Sequence, residues 1–336
     1  MPEEPEAPTD VITRMSLGFR ETQALYVAAK LGVADLLVDG PEDAGKLAAK
    51  LEVKPDPLFR LMRALASLGV FTQDASDRFG LTPVSQLLRT DVPDSMRYTA
   101  IFTGEEHYRA AGELLHTVKT GETAFRHLYG MGHFEYLAKN DEASKTFNMF
   151  MAQSIRRAGE PINSFDFSGR RLVVDVGGGK GTMVAKVLRG HPGMKGVLFD
   201  LPQGVAEARG YLKEQGVDGR CQIVSGSFFE SVPAGGDVYL LSRILHDWPD
   251  EEARKILTNC RRAIGEKGTL VIIDAVLPDG DAPSPSKLRD LSMLFLLNGK
   301  ERSESEWDKL LRGTGFEPKR FVKSGRSLDL IEAGPV

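Results

Sequence analysis

The chain has 336 residues, 41% of them hydrophobic and 27% charged, enough for about two domains with sizeable cores. A formal net charge of −4 supplies no broad basic surface, so neither nucleic acid nor an anionic membrane is an expected partner. Two cysteines, Cys221 and Cys260, cannot build a disulfide framework; with no secretory leader visible and no apolar run near the ~20 residues of a membrane span, a cytoplasmic protein is expected.

In chain order, residues 1–10 hold three prolines and four acids and read as a disordered tail. Apolar residues then recur at helical spacing from Val11 to Val38, and Gly18 and Gly32 suggest two helices. A helix follows over 42–51. Pro55 and Pro57 break the chain before a second helix at Leu58–Leu68, and Val70–Thr72 and Arg78–Thr82 flank a polar turn. Two helices and a two-stranded wing make residues 11–95 a winged-helix-like domain. Its second helix offers only Arg60 and Arg63 to DNA, a thin footprint. The apolar face of 11–38 favours dimerisation instead, so a homodimer through the N-terminal helices is expected. Residues 96–165 read as a helical connector, rich in Phe, Met and Tyr, that could wall a pocket for a flat ligand.

From Arg171 onward strands alternate with helices, the signature of a largely parallel sheet covered on both faces. The expected strands are 171–176, 196–200, 221–225, 236–242, 268–275, 316–322 and 328–332. The expected helices are 181–190, 203–214, 250–264, 285–297 and 304–313.

The strongest local signal is Leu172-Val-Val-Asp-Val-Gly-Gly-Gly-Lys-Gly-Thr, a buried strand running through Gly177, Gly178, Gly179 and Gly181 into a helix. Glycines allow positive φ and close approach of a ligand, and the helix N-terminus offers free N–H groups. Lys180 precedes Gly181, so the order is wrong for a P-loop. The spacing also fails the dinucleotide fingerprint, since Thr182 stands where its third glycine belongs. Asp175 followed by G-x-G-x-G matches the S-adenosylmethionine loop, where an acid suits the ligand's ammonium. Asp200 ends the next strand, where a carboxylate can accept both ribose hydroxyls. The third strand leads to Gly226-Ser-Phe-Phe, whose aromatic residues could cover an adenine.

The fourth strand delivers Ser242 to the sheet's carboxyl edge, and His246 follows in Leu245-His-Asp-Trp. A lone histidine is more often structural, but this one stands where ligands sit in open α/β sheets. A phenol is a weak nucleophile while protonated, and a positioned imidazole could remove its proton. Such a base needs an orienting acid, and Asp274 and Glu301 are both candidates. The other histidines, His107, His116, His127, His133 and His191, show no metal-ligand spacing, and no metal is expected.

These motifs, with Gly299-Lys-Glu-Arg and the early segment Ala24-Leu-Tyr-Val-Ala-Ala-Lys-Leu-Gly-Val-Ala-Asp-Leu-Leu, identify the chain by resemblance. It resembles the plant and bacterial small-molecule O-methyltransferases, over nearly its whole length. The resemblance implies an α/β chain: a C-terminal Rossmann-like methyltransferase domain over 166–336 with a mixed seven-stranded sheet, and an N-terminal winged-helix-like dimerisation domain. It implies S-adenosylmethionine as methyl donor, S-adenosylhomocysteine as product, and a small hydroxylated acceptor. It implies His246 as general base, flanked by Glu301 and by Asp274, where the family often has Glu. Asp175, Gly177, Gly179, Gly181, Asp200, Leu201, Ser227, Phe228 and Ser242 match cofactor-contact positions. Ser227 and Ser242 depart from the Asp and Lys of plant relatives. Phe147, Met151, Met293 and Asn298 match positions lining the acceptor pocket. Cofactor-dependent decarboxylation or hydroxylation of a polyketide is the alternative chemistry, and a DNA-binding regulator the alternative class.

Overall fold

The computed structural model describes residues 6–158, 161–325 and 328–336. They form two compact units, one of residues up to Gly112 with Tyr136–Gln153, the other of Glu113–Glu135 with Ser154–Val336. The 96–165 stretch is therefore shared between the units.

The first unit opens with α1 (Pro8–Leu17) and α2 (Phe19–Leu31). Of the expected tail 1–10, residues 1–5 lie outside the described residues, and Pro8 already starts α1, where a missing N–H costs nothing. Next come β1 (Glu42–Asp43), α3 (Ala44–Leu51), α4 (Pro55–Ser67), β2 (Phe71–Gln73) and β3 (Arg78–Leu81). Pro55 opens α4 rather than breaking the chain, for the same reason as Pro8. β1, β2 and β3 form a three-stranded sheet in the order β1-β3-β2, where two strands were expected. Leu47, Leu58, Met62, Leu65, Phe71 and Phe79 are buried in its core with Ala28, Ala29, Val33 and Leu37. The short helix α5 (Pro83–Gln86) carries a capping box from Thr82, and α6 (Arg97–Gly104) and α7 (Glu106–Gly112) follow. The residues of α10 (His133–Lys139) from Tyr136 onward and those of α11 (Asp141–Ala158) up to Gln153 complete the unit. Here Phe147 packs 5.8 Å from Phe102, which stacks on Phe150 at 4.4 Å.

The second unit begins with α8 (Leu114–Thr120) and α9 (Ala124–Tyr129). Its sheet is built from β4 (Leu172–Val176), β5 (Lys195–Asp200), β6 (Cys221–Ser225), β7 (Val238–Ser242), β8 (Thr269–Asp274), β11 (Phe316–Val322) and β12 (Asp329–Pro335). The strand order is β11-β12-β8-β7-β4-β5-β6. β4 to β8 pair in parallel, whereas β12 runs antiparallel to β8 and β11 antiparallel to β12. Central strands read Val-Tyr-Leu-Leu and Leu-Val-Ile-Ile because both faces are covered, and these residues are buried. The covering helices are α12 (Thr182–Gly190), α13 (Ala208–Glu214), α14 (Asp250–Ala263), α15 (Pro285–Leu297) and α16 (Glu304–Arg312). α13 is shorter than expected, with turns over 202–207. A separate two-stranded ladder pairs β9 (Val276–Leu277) with β10 (Arg302–Ser303). Chain order reverses between β4 and β7, and ligands in such sheets sit at that switch point.

Candidate active site

Two loops meet the switch point, one after β4 and one after β7. In the first, Gly177, Gly179 and Gly181 have φ of 73°, 56° and 90°. A Cβ on Gly177 would lie 2.6 Å from Ile244 Cδ1 and 3.4 Å from Phe228 Cε1, so a larger residue would have to displace the Ile244 side-chain tip as well as strain the backbone. Asp200 closes the loop from the neighbouring strand: its Oδ2 accepts from the Gly179 N–H at 2.8 Å and its Oδ1 from Leu201 at 2.7 Å. Leu201 itself is exposed. Each carboxylate oxygen keeps acceptor capacity, and burial raises the Asp200 pKa.

Asp175 is engaged otherwise than the sequence reading expected. It is buried, and its Oδ2 accepts from the Val184 N–H at 3.0 Å in the first turn of α12. That bond pins the helix to the strand, while Oδ1 has no partner among the described residues. Burial raises its pKa to about 7, with Asp200 adding to the rise. Ser227 spends its Oγ on the Phe229 N–H at 3.3 Å, and Phe228 and Phe229 pack against Trp248. Half-buried Ser242 closes β7.

His246 lies in the single turn Leu245–Asp247 and is only 3% exposed. Its Nδ1 is 3.1 Å from Glu301 Oε1 and 3.5 Å from Asp274 Oδ1, so Glu301 makes the hydrogen bond. Its Nε2 stands 3.3 Å from Asp247 Oδ1. Burial opposes the charged ring, but Asp274, Glu301 and Asp247 outweigh it and raise the pKa to about 9. Glu301 is also buried, yet His246 and Arg289 hold its carboxyl down at about 2. Asp274 is pushed up to about 7 by burial.

Glu301 reaches the histidine because the 298–302 segment is fastened to the 245–248 turn. The β9–β10 ladder sets Arg302 opposite Val276, two residues past Asp274. The Lys300 N–H donates to the His246 carbonyl at 2.8 Å. Arg302 is fully buried and donates to the carbonyls of Leu245 (2.9 Å), Trp248 (2.9 Å) and Lys300 (3.1 Å) and to Asp250 (2.9 Å). Arg289 of α15 donates to Glu301 Oε1 at 2.5 Å, and Asp290 accepts from the Glu301 N–H. The sequence reading did not single out Arg289, Arg302 or Asp247 as parts of this site. Arg302 ends the Gly299-Lys-Glu-Arg motif, which was the available signal.

Of the acceptor-pocket candidates, Phe147 and Met151 lie on α11 in the first unit and are half-buried. Met293 and Asn298 belong to the second unit. Exposed Asn298 caps α15 in the left-handed conformation, its N–H donating to the Met293 carbonyl. One pattern among the other histidines was invisible in sequence: His116 and His127 stack at 3.8 Å, with Glu122 bonded to His116. Their ligating atoms lie within 4.8 Å of one another. Two nearly parallel rings cannot aim both in-plane lone pairs at one ion, so this is a stacking contact.

A glycine cradle, a strand-end acid and a buried imidazole at one switch point define a Rossmann-like methyltransferase. The O-methyltransferase domain profile matches residues 112–317, and the O-methyltransferase dimerisation domain matches 13–91. Phenazine O-methyltransferase PhzM of Lysobacter antibioticus is 45% identical over 330 residues, 98% of this chain and 96% of that protein. The 3-amino-4-hydroxybenzoate 4-O-methyltransferase of Streptomyces cremeus is 39% identical, over 91% of this chain and 84% of that one. The crystal structure of NcsB1 from neocarzinostatin biosynthesis, in complex with S-adenosylmethionine and 2-hydroxy-5-methyl naphthoic acid, superposes with a TM-score of 0.86. It is 31% identical, covering 96% of this chain and 98% of that one. The chain belongs to the S-adenosylmethionine-dependent O-methyltransferase family of secondary metabolism. No described helix is long and apolar enough to cross a membrane.

Proposed function

We propose that the protein methylates a hydroxyl, phenolic in character, on a small aromatic molecule, with His246 as general base. The observation that carries this reading is the buried imidazole bonded through Nδ1 to Glu301, beside the glycine cradle. When bound, S-adenosylmethionine supplies an electrophilic methyl carbon on a sulfonium. The residues present fit that ligand. Asp200 retains acceptor capacity for a ribose diol, and the positive-φ glycines leave backbone open to close approach. Asp175 holds α12 in place beneath the loop through its bond to the Val184 N–H. Phe228, Leu201, Ser227 and Ser242 border the same edge, and within this unit Met293 and Asn298 are the acceptor-side candidates.

With Nδ1–H donated to Glu301, the neutral ring carries its lone pair on Nε2, the nitrogen left to take a proton. Asp247 must share or yield that position when a hydroxyl arrives, since its Oδ1 stands 3.3 Å away. The imidazolium that forms is stabilised by Glu301, Asp274 and Asp247 together. Holding acceptor and donor in line supplies much of the acceleration.

The test is a labelled-methyl transfer screen against phenols, polyketide aglycones and hydroxylated indoles, repeated with His246→Ala. Turnover should fall about 10²–10⁴-fold while cofactor affinity stays nearly constant. Equal loss of both would remove His246 from the base role. The active species proposed is a homodimer through the N-terminal helices, where Ile12 and Met15 are 68% and 72% exposed.

A further inference from the structure

The loop after β7 that carries His246 also carries a cation, Arg243. Arg243 follows Ser242 at the end of β7 with a φ of 58°, a conformation that favours glycine. Its own N–H, donating to the Ile273 carbonyl at 2.9 Å, holds it there. Its Nη1 donates to Ser154 Oγ at 2.6 Å. Its Nε is buried and has no acceptor among the described residues. The guanidinium lies in the field of Asp247, Asp274 and Glu301, the same acids that face His246, with Arg289 opposing. Two of those acids are engaged, Glu301 with His246 and Arg289, and Asp247 with His246 Nε2. A buried N–H without an acceptor beside the proposed base, on the edge where ligands bind, is a donor waiting for an oxygen that the described residues do not supply.

We propose that Arg243 binds a carboxylate carried by the acceptor, so that the preferred substrates are hydroxyaryl carboxylic acids. This rests on the reading of His246 as base for an aromatic hydroxyl. With Nη1 committed to Ser154, the Nε–Nη2 edge remains, and that planar edge pairs with both oxygens of a carboxylate. Ser154 fixes the plane, and the left-handed backbone at Arg243 fixes its approach. The acid group would then set which ring hydroxyl lies at His246 Nε2.

The experiment compares hydroxybenzoates and hydroxynaphthoates with their carboxamides as acceptors for the full-length enzyme, Arg243→Lys and Arg243→Gln. The wild type should favour each acid by about tenfold or more in kcat/KM, expressed in KM, as expected for charge-assisted hydrogen bonds. Arg243→Gln should erase that preference by raising KM for the acids alone, and Arg243→Lys should keep part of it. An acid-to-amide ratio unchanged in Arg243→Gln, or absent in the wild type, overturns the proposal. Methylation of neutral phenols without any preference for acids would sink this inference and leave the base assignment standing, whereas methylation of no hydroxyl compound would sink both. Should Arg243→Gln fail to fold, calorimetric binding of acid and amide to the wild type and to Arg243→Lys decides the matter by the same ratio.

Discussion

Gly299→Ala tests whether the two loops around His246 act as one part. An added Cβ would stand 2.2 Å from the His246 carbonyl oxygen, 2.8 Å from Asp247 C and 3.0 Å from Asp247 Cα. All three are backbone atoms, so no rotamer change relieves the contact. Ordinary contact begins at 3.4 Å, so the loops must part by 3.4 − 2.2 = 1.2 Å. Gly299 has no positive φ, so the clash alone drives the change. That separation breaks the Lys300–His246 hydrogen bond, worth about 0.5–1.5 kcal/mol, and draws Glu301 away from Nδ1. Misplacement by about 1 Å lowers rates roughly 10²-fold. Steady-state kinetics should therefore show kcat down by about that factor. S-adenosylhomocysteine affinity, measured by calorimetry, should move little, because the glycine cradle is not touched. A folded Gly299→Ala protein with kcat within about threefold of wild type would refute the idea that this fastening positions the base.

Charge and exposure carry the remaining outcomes. With its pKa near 9, about one His246 in a hundred is neutral at pH 7, so kcat/KM should climb on an alkaline limb. Glu301→Gln should shift that limb to lower pH and cut the plateau by about 10²-fold or more, and a limb that stays in place would uncouple Glu301 from the base. Glu301 also titrates below its ordinary 4.5 when folded, so the stability it gives is present above that pH and is lost as pH falls toward about 2. For the homodimer, light scattering should give twice the 36.8 kDa chain mass, and Met15→Glu should lower it toward one chain; a wild-type monomer would exclude the arrangement.

Much of the second unit was legible because its signals are local. Buried strands read as unbroken apolar runs, and Gly177 to Gly181 mark a loop whose backbone must turn left-handed. His246 stood out by its place after a strand. What escaped was long-range. Nothing in the periodicity of 113–135 tells that these helices join the second unit while Tyr136–Gln153 joins the first. Asp175 looked like a free acid at a strand end, yet in space the start of α12 lies over it and takes its oxygen. Arg302 resembles any charged residue before a helix; only the β9–β10 ladder turns it inward.

That buried arginine explains why Leu245-His-Asp-Trp and Gly299-Lys-Glu-Arg behave as one site although Arg302 stands 52 positions after Asp250 in the sequence. The turn at His246 has three carbonyl-bearing neighbours, at Leu245, Trp248 and Lys300, whose oxygens point at one guanidinium. Leaving such groups unpaired costs about 1–3 kcal/mol each, so the turn and the 298–302 segment are stable only together. The same logic governs the charges. Asp247, Asp274 and Glu301 crowd a single imidazole in a setting where unpaired carboxylates are expensive, and Arg289 and Arg243 offset them. Under the proposed base role, a proton moving onto His246 would enter surroundings already arranged for the cation, so little reorganisation would accompany the step. The arrangement holds only while Arg302 keeps the two loops closed.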